Sequence, residues 1–209
     1  SCDSLKEIEN SLPYEFSILE GWLHFENGDY DLAEIMFEDI LGIEASILPY
    51  DSYSEAYLGL GWADLYEANT LAGTENFNSR KLLRESAKNH FLNAQTDIVN
   101  NSLFAVPDIQ LILPDLYAGL AYVNSSLALY EDYSDIDNSS VLEDALEQSG
   151  RVVMVLDPSY YFLHDSININ YNGIHLLRSQ LFLEQNNFDS AAYHISQIDI
   201  ENYSITFDL

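Results

Sequence analysis

The sequence predicts an all-α protein made of about four antiparallel helix pairs. Apolar residues recur at spacings of three and four along almost the whole chain of 209 residues, which is typical of amphipathic helices. A six-residue block also repeats, because residues 57–62 (YLGLGW) match residues 117–122 (YAGLAY) almost position for position. Each block is preceded by an Ile-Leu-Pro triplet, at 47–49 and at 112–114. A helical unit that recurs in this way indicates an array of helix pairs.

Start and stop signals divide the chain into individual helices. Ser52 and Glu55 have the spacing of a capping box, in which each side chain satisfies an unpaired backbone amide. Ser140 and Glu143 have the same spacing. Gly28 stands just past a predicted helix, where a left-handed residue is common. We therefore expect helices near 14–27, 30–44, 51–68, 79–99, 114–131, 140–156, 169–185 and 188–198.

The first helix pair shows how the helices are expected to pack. A small residue lets two helices approach closely, and an aromatic ring fills the space between neighbours. The pattern consists of Gly21 on the first helix, Gly28 and Tyr30 at the turn, and Ala33 with Phe37 on the second helix. These residues resemble the tetratricopeptide repeat. The resemblance implies an α-solenoid, in which each helix pair is stabilised by stacking on the next.

The later pairs follow this pattern less regularly. The alanines that recur on the second helices are 54, 58 and 46 residues apart, whereas the repeat of the family is about 34 residues long. We therefore expect inserts within the middle pairs, near 67–79 and 130–140. An unrelated all-α bundle is the alternative. The recurring alanines are Ala33, Ala87, Ala145 and Ala191.

The chain is expected to divide into three parts. Residues 1–12 form an N-terminal tether, residues 13–198 the helical-repeat domain, and residues 199–209 a C-terminal tail. The tail is rich in β-branched and aromatic residues, which is unusual for a capping helix. Three roles stay open for it: an extended segment on the last pair, a self-ligand in a groove, or a docking segment for a partner.

The resemblance also implies where a partner binds. In tetratricopeptide repeats the first helices line a concave groove, and the residue after the small one points into it. This implies that Trp22, Trp62 and Tyr122 form the floor of the groove. An aromatic stripe at helical spacing is also typical of a hydrophobic core, so that alternative stays open. The same face would present Phe25 and Tyr66, with Glu15, Glu55 and Asp115 near the rim.

The charge of the chain restricts its partners. There are 35 acidic residues against 7 Lys and Arg, which gives a formal net charge of −28. Such a surface repels phosphate backbones, so we expect that the protein does not bind nucleic acid. It attracts basic groups instead, and aromatic rings bind cations. We expect a protein or peptide partner that is basic or aromatic-rich.

Four of the seven basic residues lie within nine positions. On one predicted helix, Arg80, Arg84 and Lys88 share a face at spacings of four, and Lys81 stands beside them. They form a candidate docking patch for an acidic partner or for lipid head groups. The alternative is pairing with neighbouring carboxylates inside the protein.

The one cysteine, Cys2, follows Ser1 at the N-terminal end of the sequence. This arrangement resembles the mature start of a bacterial lipoprotein, in which a small residue precedes the lipidated cysteine. The resemblance implies a lipid anchor at Cys2, followed by the polar tether, in the bacterial cell envelope. An ordinary surface cysteine is the alternative. Membrane association is expected only through this anchor.

No catalytic, metal or cofactor motif is recognisable. The five histidines have no metal-ligand spacing, and there is no phosphate loop or nucleophile motif. The expectation is therefore a non-catalytic protein- or peptide-binding scaffold of the bacterial cell envelope. The alternative is a lipoprotein that captures a small molecule or a glycan on the aromatic groove. An enzyme with an unrecognised acidic mechanism is a third possibility.

Overall fold

The described structure, a computed structural model, covers residues 14–45, 48–49, 51–101, 109–129, 137–156 and 159–199. Within these ranges the chain is helical, and its extended contacts are limited to an isolated bridge between Tyr161 and Asn170. The all-α class is therefore confirmed for the described residues. The helices are α1 (Tyr14–Glu26), α2 (Tyr30–Leu41), α3 (Ser52–Thr70), α4 (Phe77–Asn101), α5 (Ile109–Leu129), α6 (Asn138–Gly150), α7 (Tyr171–Glu184) and α8 (Phe188–Ser196).

The expected insert near 67–79 is a short connection rather than a long loop. Helix α3 continues to Thr70, and α4 begins at Phe77 after a single 3₁₀ turn, Thr74–Asn76. The wide spacing of the repeat comes instead from long helices, since α3 has 19 residues and α4 has 25. Of the second expected insert, residues 130–136 lie outside the described residues. The predicted tether and nearly all of the predicted tail lie outside them as well.

The capping boxes expected from the sequence are not formed. Asp51 precedes α3 without a side-chain capping bond, and Ser52 is already helical. Asp137 likewise precedes α6 without one, so Ser140 lies inside the helix. Side-chain caps occur instead before α7 and α8, where no capping box is predicted. Asn170 accepts from the Gly173 amide at 3.0 Å, and Asn187 accepts from the Ser190 amide at 3.2 Å.

The chain divides into two compact units, Ser1–Leu116 (unit 1) and Tyr117–Leu209 (unit 2). In unit 1, α1 to α4 pack in sequence, each helix against the next. The ring of Phe37 fits between two glycines: a Cβ at Gly21 would lie 2.6 Å from it, and one at Gly59 2.4 Å. Phe91 has the same relation to Gly61, at 2.6 Å. The small residues therefore admit the rings, as the sequence predicts.

Unit 2 has its own apolar centre. Residues of α5, α6 and α7 form one buried cluster. A loop leads into α7, where the Phe162 amide bonds the Ile169 carbonyl at 2.8 Å and the Tyr171 amide bonds the Tyr160 carbonyl at 2.7 Å. A π-helical turn, Arg151–Leu156, continues α6. The buried cluster consists of Ala121, Leu142, Ala145, Leu177 and Leu181.

The turn of the first helix pair recurs in the last pair. Gly28, between α1 and α2, has a φ of 81°, and Asn186, between α7 and α8, has a φ of 57°. In both turns the next amide bonds the carbonyl five residues back, from Asp29 to His24 at 2.9 Å and from Asn187 to Phe182 at 2.8 Å. Both helices thus end in the same left-handed cap.

Candidate binding site

Three of the four aromatic residues of unit 1 that were expected to face the groove lie in the core of that unit. The exposed fractions are 5% for Trp22, 3% for Phe25 and 0% for Trp62. The expectation that these rings face a partner is therefore corrected. The alternative of an aromatic core stripe describes them, because all three rings are buried within unit 1.

The rings contact one another edge to face. Trp22 lies 5.0 Å from Phe37 and 5.6 Å from Phe25 between ring centroids, and Trp62 lies 5.6 Å from Phe91. Such T-shaped pairs are favourable beyond the area they bury. The core of unit 1 is held in this way by rings from α1 to α4.

Tyr66 connects this core to the surface of unit 1. Its half-buried ring lies 4.9 Å from Phe25 and 6.0 Å from Trp62 between centroids. On its other side it lies 6.0 Å from Tyr30, at the start of α2. Tyr66 thus links the buried rings to Tyr30, which lines an open surface.

That surface is a cleft of about 380 Å³. One wall is the turn between α1 and α2 with the first residues of α2, and the other is the last turn of α3. Three carboxylates line it, and none of its seven lining residues is basic. The lining residues are Gly28, Asp29, Tyr30, Asp31, Leu32, Glu67 and Thr70.

Carboxylates repel one another around this cleft. Burial raises the pKa of Glu67, and the negative charges of Asp31 and Asp64 raise it further. Burial also raises the pKa of Glu34, from its ordinary value of 4.5 to about 8, with a hydrogen bond to Asp64 and the nearby charges as further causes. Glu34 is therefore protonated at neutral pH. The acidic groups in and near the cleft therefore cannot all be ionised at neutral pH.

One histidine faces this acidic group. His90 Nε2 lies 3.5 Å from Asp64 Oδ2, and Asp64 is only 5% exposed. Burial lowers the pKa of His90 although the charge of Asp64 opposes the shift. The pair therefore offsets little of the negative charge near neutral pH.

The predicted rim residues occupy different places. Glu55 accepts a hydrogen bond from Trp22 Nε1 at 3.3 Å, and burial raises its pKa. It therefore belongs to the interior of unit 1. Asp115 is half-buried on α5. The side chain of Glu15 and the whole of Cys2 lie outside the described residues, so lipidation of Cys2 stays a prediction.

Tyr122 belongs to unit 2 and is described with that unit. It is half-buried, and its hydroxyl lies 3.0 Å from the position of a Cβ on Gly173. The Asn168 carbonyl is closer still to that position, at 2.7 Å, so the space there admits only a glycine. Tyr122 therefore packs against a helix of its own unit.

Part of the basic cluster on α4 supports the fold. Arg80 Nη1 donates to the carbonyls of Leu71 and Gly73 at 3.0 and 2.7 Å, which holds the connection from α3. Arg84 is only 4% exposed, and Lys81 lies 3.7 Å from Glu85. Lys88 is half-buried. The expectation of a surface patch is corrected for Arg84, which is buried, whereas docking through the other three residues stays a prediction.

Sequence reasoning missed the residues that line the cleft. Gly28 and Tyr30 were identified only as turn markers, and Asp29, Asp31 and Glu67 were not singled out. Acids on both sides of the turn tyrosine could have been noticed. However, the approach of the end of α3 to this turn is a tertiary contact that no local pattern indicates.

Two further findings concern ligands and membranes. Within the described ranges, no group of three or more His, Cys, Asp or Glu side chains is arranged to hold a metal ion. In the same ranges, none of the helices combines the length and the apolar character that crossing a membrane requires.

The fold and the cleft define an all-helical protein with an acidic surface site in unit 1. No known family model matches the chain, and no curated protein or solved structure is significantly similar to it. Its function must therefore be inferred from the site.

Proposed function

We propose that this chain is a non-catalytic, tetratricopeptide-like scaffold that binds a basic segment of a partner protein or peptide in the acidic cleft of unit 1. One observation carries the proposal: the cleft combines three carboxylates with a tyrosine and has no basic lining residue. Lysine or arginine side chains are the groups in proteins that this lining complements.

Electrostatics supply the driving force for such binding. The raised pKa values of Glu34 and Glu67 mean that negative charge is costly there. A guanidinium or ammonium group in the cleft would offset the repulsion and shift these carboxyls back toward ionisation. A contact with the Tyr30 ring would add about 1 kcal/mol by cation–π attraction. The net charge of −28 would steer a basic partner toward the protein.

The helix packing supports the tetratricopeptide-like part of the proposal. The left-handed turn residue recurs at Gly28 and Asn186, and rings fit against small residues at Gly21 and Gly61. These are features of a repeated helix pair. Proteins of this construction use exposed surfaces between helices to bind extended or helical segments.

The alternative of small-molecule or glycan capture loses its main support. It depended on exposed indole rings as a stacking platform, whereas Trp22 and Trp62 are 5% and 0% exposed. A setting in the bacterial cell envelope, with an anchor at Cys2, stays part of the proposal and is independent of the cleft.

A charge-neutralising double variant tests the cleft. Asp31→Asn with Glu67→Gln removes two carboxylates that line it. We expect binding of a fluorescently labelled oligo-arginine peptide, measured by anisotropy at low salt, to weaken about tenfold, equivalent to about 1.4 kcal/mol.

The matched control removes the same two charges elsewhere. Glu143→Gln with Asp189→Asn alters exposed residues of unit 2, and we expect it to change the affinity less than twofold, an effect of long-range attraction alone. Equal weakening by both double variants would show that only the net charge attracts the peptide, and it would refute the cleft as the site.

A further inference from the structure

Unit 2 contains a buried polar cluster that the proposed function does not use. Arg178 and His175 on α7 and His194 on α8 are 7%, 3% and 3% exposed. Arg178 Nε donates to His194 Nε2 at 3.1 Å, and the Nδ1 atoms of the two histidines are 2.8 Å apart. Arg178 Nη1 donates to the Leu146 carbonyl and to Ser149 Oγ, at 2.6 and 2.9 Å. The cluster thus joins α6, α7 and α8.

These contacts determine where the protons lie. Because Arg178 Nε always carries a proton, His194 Nε2 must accept and must itself be unprotonated. The proton of His194 is then on Nδ1, from which it is donated to His175 Nδ1. His175 accepts at that atom, so its own proton is on Nε2. Two neutral histidines of opposite tautomers complete the network.

A further proton on either ring would break the network. At His194 Nε2 it would oppose the donor of Arg178, and at His175 Nδ1 it would oppose the donor of His194. It would also add a positive charge beside a buried guanidinium, with little solvent to screen it. Each protonation therefore replaces a hydrogen bond by repulsion between two donors.

Among the described residues, no negative charge contributes to the pKa shift of either histidine. The charge acting on His175 is that of Arg178, and those acting on His194 are Arg178 and His175. Burial and these positive charges together lower the pKa of each histidine from 6.5 to about 4. The two rings also contact Tyr171 and Phe182 from α7 and Tyr193 from α8. From α6, Ser149 and the Leu146 carbonyl contact the Arg178 guanidinium.

We propose that His175, His194 and Arg178 form an acid-sensitive clasp, which holds α8 against α7 at neutral pH and releases it in mild acid. Helix α8 has only nine residues, and His194 and Ala191 are its buried residues. Release would also uncover the Phe182 ring, which stacks on His194 at 5.4 Å. The device thus opens an apolar surface of unit 2 when both histidines become charged.

Tautomer-sensitive nitrogen NMR of the wild-type protein tests the clasp directly. At neutral pH we expect His194 in the Nδ1–H form and His175 in the Nε2–H form, with neither ring titrating near its ordinary pKa of 6.5. Identical tautomers, or a pKa at or above 6.5 for either ring, would overturn the proposal.

Hydrogen exchange tests the release of α8. One histidine whose pKa falls from 6.5 to about 4 changes the opening equilibrium about 60-fold between about pH 7 and about pH 4.5. We expect at least this loss of protection, corrected for intrinsic exchange rates, in residues 188–196. Unchanged protection there would refute the release.

Variants separate the clasp from general acid effects. His175→Asn with His194→Gln removes both titrating rings and should abolish the acid-dependent part of the opening, whatever its effect on stability. The control is His164→Gln, which alters a half-buried histidine of the same unit and should leave the acid response intact. A double variant that still opens at the same pH as the wild type would contradict the proposal.

Discussion

At the scale of the residue, packing in unit 1 depends on single atoms. Phe37 is fully buried, and the space it occupies is left by two glycines on different helices. An added methyl group at either glycine would meet the ring at less than 3.0 Å. On another side the ring contacts Trp22, whose ring centroid is 5.0 Å away. Glycine is therefore required there for space rather than for backbone freedom.

We expect Gly59→Ala to destabilise unit 1 by about 1–3 kcal/mol, since overpacking forces rings from their preferred positions. Urea unfolding followed by tryptophan fluorescence measures it, because both tryptophans belong to unit 1. Gly59→Ala combined with Phe37→Leu should lose less than the sum of the two single changes. Gly42→Ala is the control, because Gly42 is exposed and has an ordinary helical φ of −77°. A neutral Gly59→Ala would contradict the packing argument.

A single carboxyl group also determines how the stability of unit 1 changes with pH. Glu34 has a folded pKa of about 8 against an ordinary 4.5, so the folded state binds its proton more tightly. The stability that this gives is complete below about pH 4.5 and is lost as the pH rises through about 8.

Glu34→Gln should therefore make unit 1 more stable relative to wild type as the pH rises from about 5 to about 9. Urea unfolding at several pH values, followed by tryptophan fluorescence, measures the difference in unfolding free energy between the variant and the wild type. Glu20→Gln, which removes an exposed carboxylate of the same unit, is the matched control. A difference for Glu34→Gln that does not change with pH, or that equals the difference for the control at every pH, would show that the Glu34 carboxyl is not perturbed.

At the scale of the element, the helix hairpins are determined by their turns. Gly28 and Asn186 hold the same left-handed position, and the same amide-to-carbonyl bonds close both turns. Left-handed backbone costs an ordinary L-residue about 1–2 kcal/mol, asparagine less, and glycine almost nothing. The two hairpins thus use different residues for one backbone requirement.

We expect Gly28→Ala to destabilise unit 1 by about 1 kcal/mol and Asn186→Gly to stabilise unit 2 by up to about 1 kcal/mol. A Cβ on Gly28 would meet nothing within 4 Å, so the effect comes from the backbone alone. Tryptophan fluorescence measures the first change, and hydrogen exchange of α7 and α8 measures the second. Stabilisation by Gly28→Ala would show that the turn relaxes to another conformation.

At the scale of the whole molecule, the net charge of −28 dominates. Like charges repel most in the folded chain, where they are closest together. At 0.1 M, salt largely screens the repulsion between exposed charges that are more than about 10 Å apart. Raised acid pKa values in unit 1 and lowered histidine pKa values in unit 2 also give the units opposite responses to pH.

We therefore expect the melting temperature to rise between about 20 mM and about 200 mM sodium chloride. Thermal unfolding followed by circular dichroism checks this. An uncharged osmolyte at the same osmolarity is the control, because it does not screen charge. A flat or falling melting temperature with salt would mean that the carboxylates are already balanced by local contacts.

The sequence by itself determined the helices, their order and the turn at Gly28, because periodicity and turn chemistry are local properties. Tertiary structure alone decided which faces are covered. The aromatic residues after Gly21 and Gly61 are buried, and so is Arg84. Arg80 bonds the backbone of the connection between α3 and α4. Successive helix residues differ by about 100° in direction, so a face becomes core or surface only when a neighbouring helix covers it. The cleft and the histidine clasp follow the same rule, since each joins residues from helices that only the fold brings together.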